Sequence, residues 1–365
     1  RPAGAAWPLE RDCLRAAAAV RTTGDYLPSC DRANWLALDI GGANLKAADG
    51  CGWCHSEPFP LWQAWRELPQ AIAAILARCS PDRLAVTMTG EIADCFADRA
   101  DGVREIVTGC IEAAAGRPVF IYSLDGTLIE PAEAVTRPLA VAAANWHALA
   151  RLAGSLIPTG RGLLLDIGST TTDLVPLAAG HPASQGNTDW ERMACGELLY
   201  MGVERTPVPA LVRTLPYRSS RRPVASECFA TVRDAWLTVG GLPERPQDQN
   251  TADGGPATRA AARIRLARTM LLEPADFSDT DARQAAAWIT ELQCRRLTVA
   301  LKRQLEGSEQ ATAIVTCGHG GSLAKQAIAR LDGPMTVCSL AQSLGDDIAR
   351  VGPAHAVARI ARGEL

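Results

Sequence analysis

Two octapeptides of this chain nearly repeat each other: Asp39-Ile40-Gly41-Gly42-Ala43-Asn44-Leu45-Lys46 and Asp166-Ile167-Gly168-Ser169-Thr170-Thr171-Thr172-Asp173. Each follows a strand-forming apolar run, Trp35 to Leu38 and Leu163 to Leu165, and each turns through glycine into small hydroxyl or amide residues. A turn of this kind exposes backbone N–H groups and leaves room for a phosphate oxygen to approach. Gly41, Gly42, Asn44, Gly168, Ser169, Thr170 and Thr171 are therefore candidate phosphate binders, and Lys46 is the cation placed to reach a phosphate directly. Asp39, Asp166 and Asp173 lie where carboxylates could hold a hydrated divalent cation such as Mg²⁺. Two such hairpins in one chain predict a duplicated domain that closes on phosphates from both sides.

Bulk properties narrow the field. A length of 365 residues argues for two domains, and 47% hydrophobic residues supply ample core. A net charge of -3 offers no basic excess for tracking a nucleic-acid backbone. No apolar run reaches the roughly 18 residues of a membrane span. The stretch Ala16 to Val20, flanked by Arg15 and Arg21, is too short for a signal-peptide core. The expected location is the cytoplasm. The 12 cysteines are then reduced thiols rather than a disulfide framework. Cys51-Gly52-Trp53-Cys54-His55 matches the c-type haem attachment pattern, but that chemistry requires export. It is read as chance composition in a hairpin, with no haem expected.

Elements that must position the turns can be placed by periodicity. Residues 1–33 are a Pro- and Ala-rich extension without assigned chemistry. A first domain, 34–155, has strands at 34–40, 43–48, 52–58, 83–88 and 118–122, with helices at 62–78, 101–115 and 138–153. A second domain, 156–365, repeats the strand, glycine turn and strand from Arg161. An insertion at about 183–280 interrupts it, with helical pieces near 224–238 and 256–272. A long helix (280–305), a strand (312–316), the turn Cys317-Gly318-His319-Gly320-Gly321-Ser322, a strand from Met335 to Cys338 and a helical tail complete it. That tail is placed to return to the first domain.

Two Asp-Gly hairpins and a late Gly-His-Gly-Gly turn resemble the acetate and sugar kinase/Hsp70/actin superfamily. The resemblance implies an α/β fold of two ribonuclease-H-like domains around a nucleotide or phosphate cleft. It also implies that Gly318, Gly320 and Gly321 meet a cofactor. The segment Asp166 to Asp173 resembles the hydantoinase A/oxoprolinase branch. Thr89-Gly90-Glu91-Ile92-Ala93-Asp94, Ala143-Ala144-Asn145-Trp146, the run Gly196 to Val208 and the run Thr251 to Arg259 are similar to a narrower family. That family is linked to the tetrahydromethanopterin one-carbon pathway, and its archaeal members are methanofuran-biosynthesis synthases.

The resemblance implies condensation of an aminomethylfuran methyl diphosphate with the phenol oxygen of a glutamyl-tyramine or tyrosine acceptor, releasing pyrophosphate. A phenol has an ordinary pKa near 10, so a carboxylate base should assist it. Glu91, at the end of a core strand, is the first candidate, followed by Asp94 and Glu197. Asn145, Trp146, Glu197, Arg205, Asp253 and Arg259 are expected on the acceptor side, with Tyr200 as a further ring platform. The partners are thus a small-molecule diphosphate and a phenolic acceptor, and a homo-oligomer is left open. The rival expectations are an ATP-dependent kinase or hydantoinase/oxoprolinase-like ATPase, and a non-catalytic nucleotide-binding regulator.

Overall fold

The computed structural model describes residues 34–306 and 311–365, so the extension read at 1–33 lies outside the described residues. Two sheets carry the chain. The first is built from β1 (Trp35–Ile40), β2 (Asn44–Ala48), β3 (Cys54–Pro58), β4 (Arg83–Met88), β5 (Val119–Tyr122) and β6 (Leu128–Ile129), in the order β3-β2-β1-β4-β5-β6. The second contains β7 (Arg161–Ile167), β8 (Thr172–Ala178), β9 (His181–Pro182) and β10 (Leu198–Leu199). After a separate hairpin of β11 (Thr214–Tyr217) and β12 (Ser220–Pro223), it is completed by β13 (Ala313–Gly318) and β14 (Thr336–Ser339). Its order is β10-β8-β7-β13-β14, with β9 pairing β8. In both sheets an antiparallel meander is followed by two parallel strands. That repeated order makes the molecule a pair of ribonuclease-H-like domains.

The apolar runs of β1, β4 and β7 bury both faces, as parallel strands between helical layers must. One face of the first sheet, through Leu36, Leu38 and Val86, packs on the helices Leu68–Cys79 and Arg99–Ala114. One face of the second, through Leu163 and Leu165, packs on the long helix Asp279–Glu306. The remaining faces share one core. Ala37 and Ala85 of the first sheet and Leu164 and Val315 of the second enclose residues of the helices Asn145–Gly154 and Gly352–Ala361. The last helix lies against β1, β2 and β4, so the C-terminus returns to the first sheet, while Asn145–Gly154 lies against β7, β8 and β9. The two domains therefore exchange helices through a single hydrophobic interior.

Two predicted helices are broken, each for a physical reason. The helix expected at 62–78 divides at Trp65–Glu67, because Pro69 has no N–H to donate one turn back. The helix expected at 138–153 stops after Pro138–Val141 and restarts at Asn145. The Ala140 carbonyl, which a continuous helix would use, accepts instead from Leu124 N at 2.8 Å. Ala143 bridges the gap at φ 49°. This break sets Asn145 and Trp146 at a helix start.

The insertion folds onto Asp279–Glu306 through Trp236, Leu266 and Tyr217. Its polar interior corrects two expected site residues. Asp253 accepts from Arg265 at 3.0 Å and from Arg268 at 2.9 Å, and Arg265 also pairs with buried Asp234 at 2.8 Å. Arg259 donates to the Leu237 carbonyl at 3.2 Å. Neither lines the cleft described below. Asp253→Asn is expected to cost about 1 kcal/mol of stability, as for a half-exposed ion pair, and to leave turnover unchanged, which a melting curve and a rate assay would check.

Candidate active site

The turns of the two hairpins are the same object built twice. Gly41 N donates to Asn44 O at 3.0 Å, and Gly168 N donates to Thr171 O at 2.9 Å. Asp39 lies directly across from Lys46 on β1 and β2, and Asp166 lies directly across from Asp173 on β7 and β8. The lysine of one copy thus occupies the place of a carboxylate in the other.

Behind each turn the following parallel strand is hooked in the same way. Thr89 and Gly90 N–H groups both donate to Ile40 O, at 2.9 and 3.0 Å, and His319 and Gly320 N–H groups both donate to Ile167 O, at 2.8 and 3.1 Å. The late glycine turn is therefore a copy of Thr89-Gly90, a repeat that sequence reading missed because only one glycine is shared. A Cβ on Gly320 would stand 2.3 Å from Ile167 Cγ2, and one on Gly318, at φ 81°, would stand 2.3 Å from Ile167 O. These glycines allow β13 to close on β7.

The four strand ends surround a cleft of about 640 Å³ between the domains. Asp39, Gly41, Gly42, Asn44, Lys46, Asp94, Asn145, Trp146, Gly168, Ser169, Thr170, Thr171, Asp166, Asp173, Arg205 and Gly318 all line it. Gly320 and Gly321, expected at a cofactor, do not: Gly320 is spent on packing, and the lining contributed by this turn ends at His319. Ser322 donates to the Gly241 carbonyl of the insertion at 3.1 Å.

Glu197 is also displaced from its expected role. It is fully buried, accepts from Gln185 N at 2.7 Å and from the Ser184 hydroxyl, and so fixes the start of the insertion. The rest of its motif buttresses the second turn. Val203 N donates to Gly168 O, and Glu204 N and Arg205 N both donate to Ser169 O. Thr172 Oγ1 donates to Met201 O at 2.7 Å, and Gln293 Nε2 donates to Gly202 O at 2.7 Å.

Glu91 lies behind the cleft wall rather than on it. It is fully buried, and neither carboxyl oxygen has a hydrogen-bond partner. Burial pushes its pKa up to about 7. A carboxyl raised in the folded state contributes its full stability below its unfolded pKa, and that contribution is lost as pH rises through about 7. Glu91→Gln should therefore melt like the wild type at pH 4, below the unfolded pKa, and be more stable at pH 8, by order of 1–3 kcal/mol. Melting curves at both values test this.

The electrostatics of the cleft floor are uneven. Lys46 Nζ stands 3.4 Å from Asp39 Oδ2, while Asp39 Oδ1 is buried with no partner. Asp166 is pushed up to about 7, first by burial and next by Asp173, with Lys46 pulling the other way. Asp173 is raised by burial against the pull of Arg192, whose Nη1 is 2.9 Å away. Arg192, which sequence reading missed, is itself buried and lies 4.0 Å over the Trp146 ring. Its signal was the capping box Thr188 to Glu191 that opens its helix, Asp189–Cys195. The same helix ties the domains together where Asp189 accepts from Arg99 at 2.9 Å. Trp62, Asp189 and Arg350 are further lining residues that motif reading did not single out, and Thr89, quoted only as the start of a motif, lines the cleft as well.

Three carboxylates face Lys46 and Arg192 here, and one carboxylate oxygen is orphaned. That donor set suits a divalent cation held through water. Among the described residues, no three His, Cys, Asp or Glu side chains are grouped to grip a metal ion directly.

Comparison with known proteins places this architecture. The model of the hydantoinase/oxoprolinase family matches residues 82–344. The chain belongs to the hydantoinase/oxoprolinase family. Within it, the chain is 28% identical over 337 residues to the (4-{4-[2-(gamma-L-glutamylamino)ethyl]phenoxymethyl}furan-2-yl)methanamine synthase of Methanocaldococcus jannaschii, spanning 90% of this chain and 98% of that one. It is 29% identical over 207 residues to the protein of the same name from Methanococcus vannielii, spanning 56% of this chain and 91% of the relative. Among solved structures, the ethanolamine utilization protein EutJ from Carboxydothermus hydrogenoformans overlays with a TM-score of 0.44 at 10% identity, covering 94% of this chain and 98% of that one. For this member of the hydantoinase/oxoprolinase family, the fold assignment rests on the repeated strand order. Among its described residues no helix is long and apolar enough to cross a membrane.

Proposed function

We propose that this protein makes the aryl ether of a methanofuran-type one-carbon carrier, joining an aminomethylfuran methyl diphosphate to the phenol oxygen of a glutamyl-tyramine or tyrosine acceptor. The likeness to the archaeal synthase over nine-tenths of the chain supports the reaction class. The observation that carries the reading is geometric. Two phosphate turns face one cleft whose contribution from the late glycine turn ends at His319, so the cleft has a place for a diphosphate without extending along the turn that would meet adenosine. An ATP-dependent alternative would use the same two turns, but of the late glycine turn only Gly318 and His319 line the cleft.

In this reading the phenolic O–H gives its proton to Asp94, which lines the cleft where Glu91 does not. The phenol oxygen bonds to the furfuryl carbon. The bond from that carbon to the diphosphate oxygen breaks, and its electron pair leaves with pyrophosphate. Amides of Gly42, Ser169 and Thr170 in the two turns, with Lys46, receive the developing negative charge. Asp39, Asp166 and Asp173 would hold Mg²⁺, which when bound neutralises charge on the departing group. Trp146 and Tyr200 offer ring faces along the same cleft.

The test is direct. Purified protein is incubated with Mg²⁺, the furfuryl diphosphate and γ-glutamyl-tyramine, without ATP, and products are read by mass spectrometry. Ether and pyrophosphate are expected in equal amounts. A strict need for ATP with a phosphorylated product would assign a kinase, and binding without turnover would assign a regulator.

A further inference from the structure

The cations lining the cleft are not equivalent. Lys46 lies 3.4 Å from Asp39, Arg192 lies 2.9 Å from Asp173, and Arg350 lies 4.0 Å from Asp347. Among the described residues, the Arg205 guanidinium has no hydrogen bond or ion pair. It stands instead over a ring, with its central carbon 5.6 Å from the centroid of Trp62. The two residues come from opposite domains and hang from matching points. Arg205 N donates to Ser169 O of the second turn at 2.9 Å, and Leu61 N, beside Trp62, donates to Gly42 O of the first at 3.0 Å. The pair therefore spans the cleft above both phosphate turns. Around it, Trp62, Ile92 and Tyr200 are 37%, 56% and 63% exposed, and all three line the cleft. Large apolar side chains left uncovered together with an unpaired guanidinium suit a ligand that has an aromatic ring and a carboxylate.

We infer that Arg205 and Trp62 form the acceptor subsite, in which Arg205 takes a carboxylate of the acceptor and thereby selects a carboxylated phenol over an uncharged one. The inference rests on the ether-forming reading above. It places Arg205 on the acceptor, not on the diphosphate. A guanidinium with no hydrogen bond of its own keeps its fork free for bidentate contact, which a lysine ammonium cannot reproduce.

The experiment compares γ-glutamyl-tyramine with N-acetyltyramine, which keeps the phenol but has no carboxylate. Calorimetric Kd values for both ligands are measured in the wild type, Arg205→Ala and Arg205→Lys, and ether formation from γ-glutamyl-tyramine is followed in parallel. Arg205→Ala should weaken γ-glutamyl-tyramine binding about 10- to 100-fold, the range for a hydrogen bond to a charged group, and leave N-acetyltyramine within about threefold. Arg205→Lys should fall between. Equal losses for both ligands, or no loss for either, would overturn the subsite while wild-type ether formation still stands. If the wild type forms no ether at all, the underlying reading fails instead.

Discussion

Asp166→Asn is expected to lower turnover about 10²- to 10³-fold, the scale on which one preorganised electrostatic group at a reacting centre acts. Asparagine keeps the shape of the side chain and removes its charge. Asp166 faces Asp173 directly across β7 and β8, and Arg192 is committed to Asp173. The substitution therefore removes the carboxylate of the pair that has no cation bonded to it, and with it the charge proposed to hold Mg²⁺. The fold should not suffer. Asp166 is raised to about 7, so its contribution to stability is fully present only below its unfolded pKa and is lost as pH rises through about 7. In metal-free buffer at pH 8 the variant should melt at or above the wild-type temperature, and at pH 5 the difference should shrink. Loss of rate with a retained melting temperature separates a functional carboxylate from a structural one. A wild-type rate would contradict the two-hairpin account.

Gly202→Ala is the second large expected effect, and it acts without touching a substrate. A Cβ at this position would stand 2.4 Å from the Ser169 carbonyl carbon and oxygen and 2.5 Å from Thr170 N, all backbone atoms. The added methyl can be housed only if the second glycine turn and the segment that carries Gly202 move apart. Displacing catalytic groups by about 1 Å can cost on the order of 10²-fold in rate, and overpacking typically costs about 1–3 kcal/mol. A steady-state assay beside a melting curve should show a rate loss well beyond what the unfolded fraction explains. The same substitution with an unaltered kcat would mean that the run Gly196 to Val208 does not buttress the turn.

The hairpins were legible because each is a local object. An apolar run, an aspartate and a glycine turn within eight residues suffice to define it, and the pairing of Asp39 with Lys46 and of Asp166 with Asp173 follows from strand geometry alone. The helix break before Asn145 was not legible, since it depends on Leu124 capturing the Ala140 carbonyl from a distant turn. Nor was the role of Gly196 to Val208. A motif rich in charged and aromatic residues reads as ligand recognition. Its Glu197 and Gly202 are instead used for backbone support, and only Tyr200 and Arg205 from its polar and aromatic set reach the cleft. Glu91 shows the same limit. Position at a strand end was readable, but the direction of the side chain was not, and it points into the interior while Asp94 three residues later reaches the cleft. Arg192 went unnoticed because the capping box that opens its short helix marks only a helix start, and the Asp173 and Trp146 that its side chain meets are distant in sequence.

The central claim is that the cleft grips a diphosphate that leaves, rather than a phosphoryl group that transfers. An acceptor labelled with ¹⁸O at the phenol oxygen tests this most directly, with Mg²⁺ present and ATP absent. The account predicts that the label is retained in the aryl ether and that the released pyrophosphate is unlabelled. Label recovered in an aryl phosphate, or product formed only when ATP is added, would contradict it.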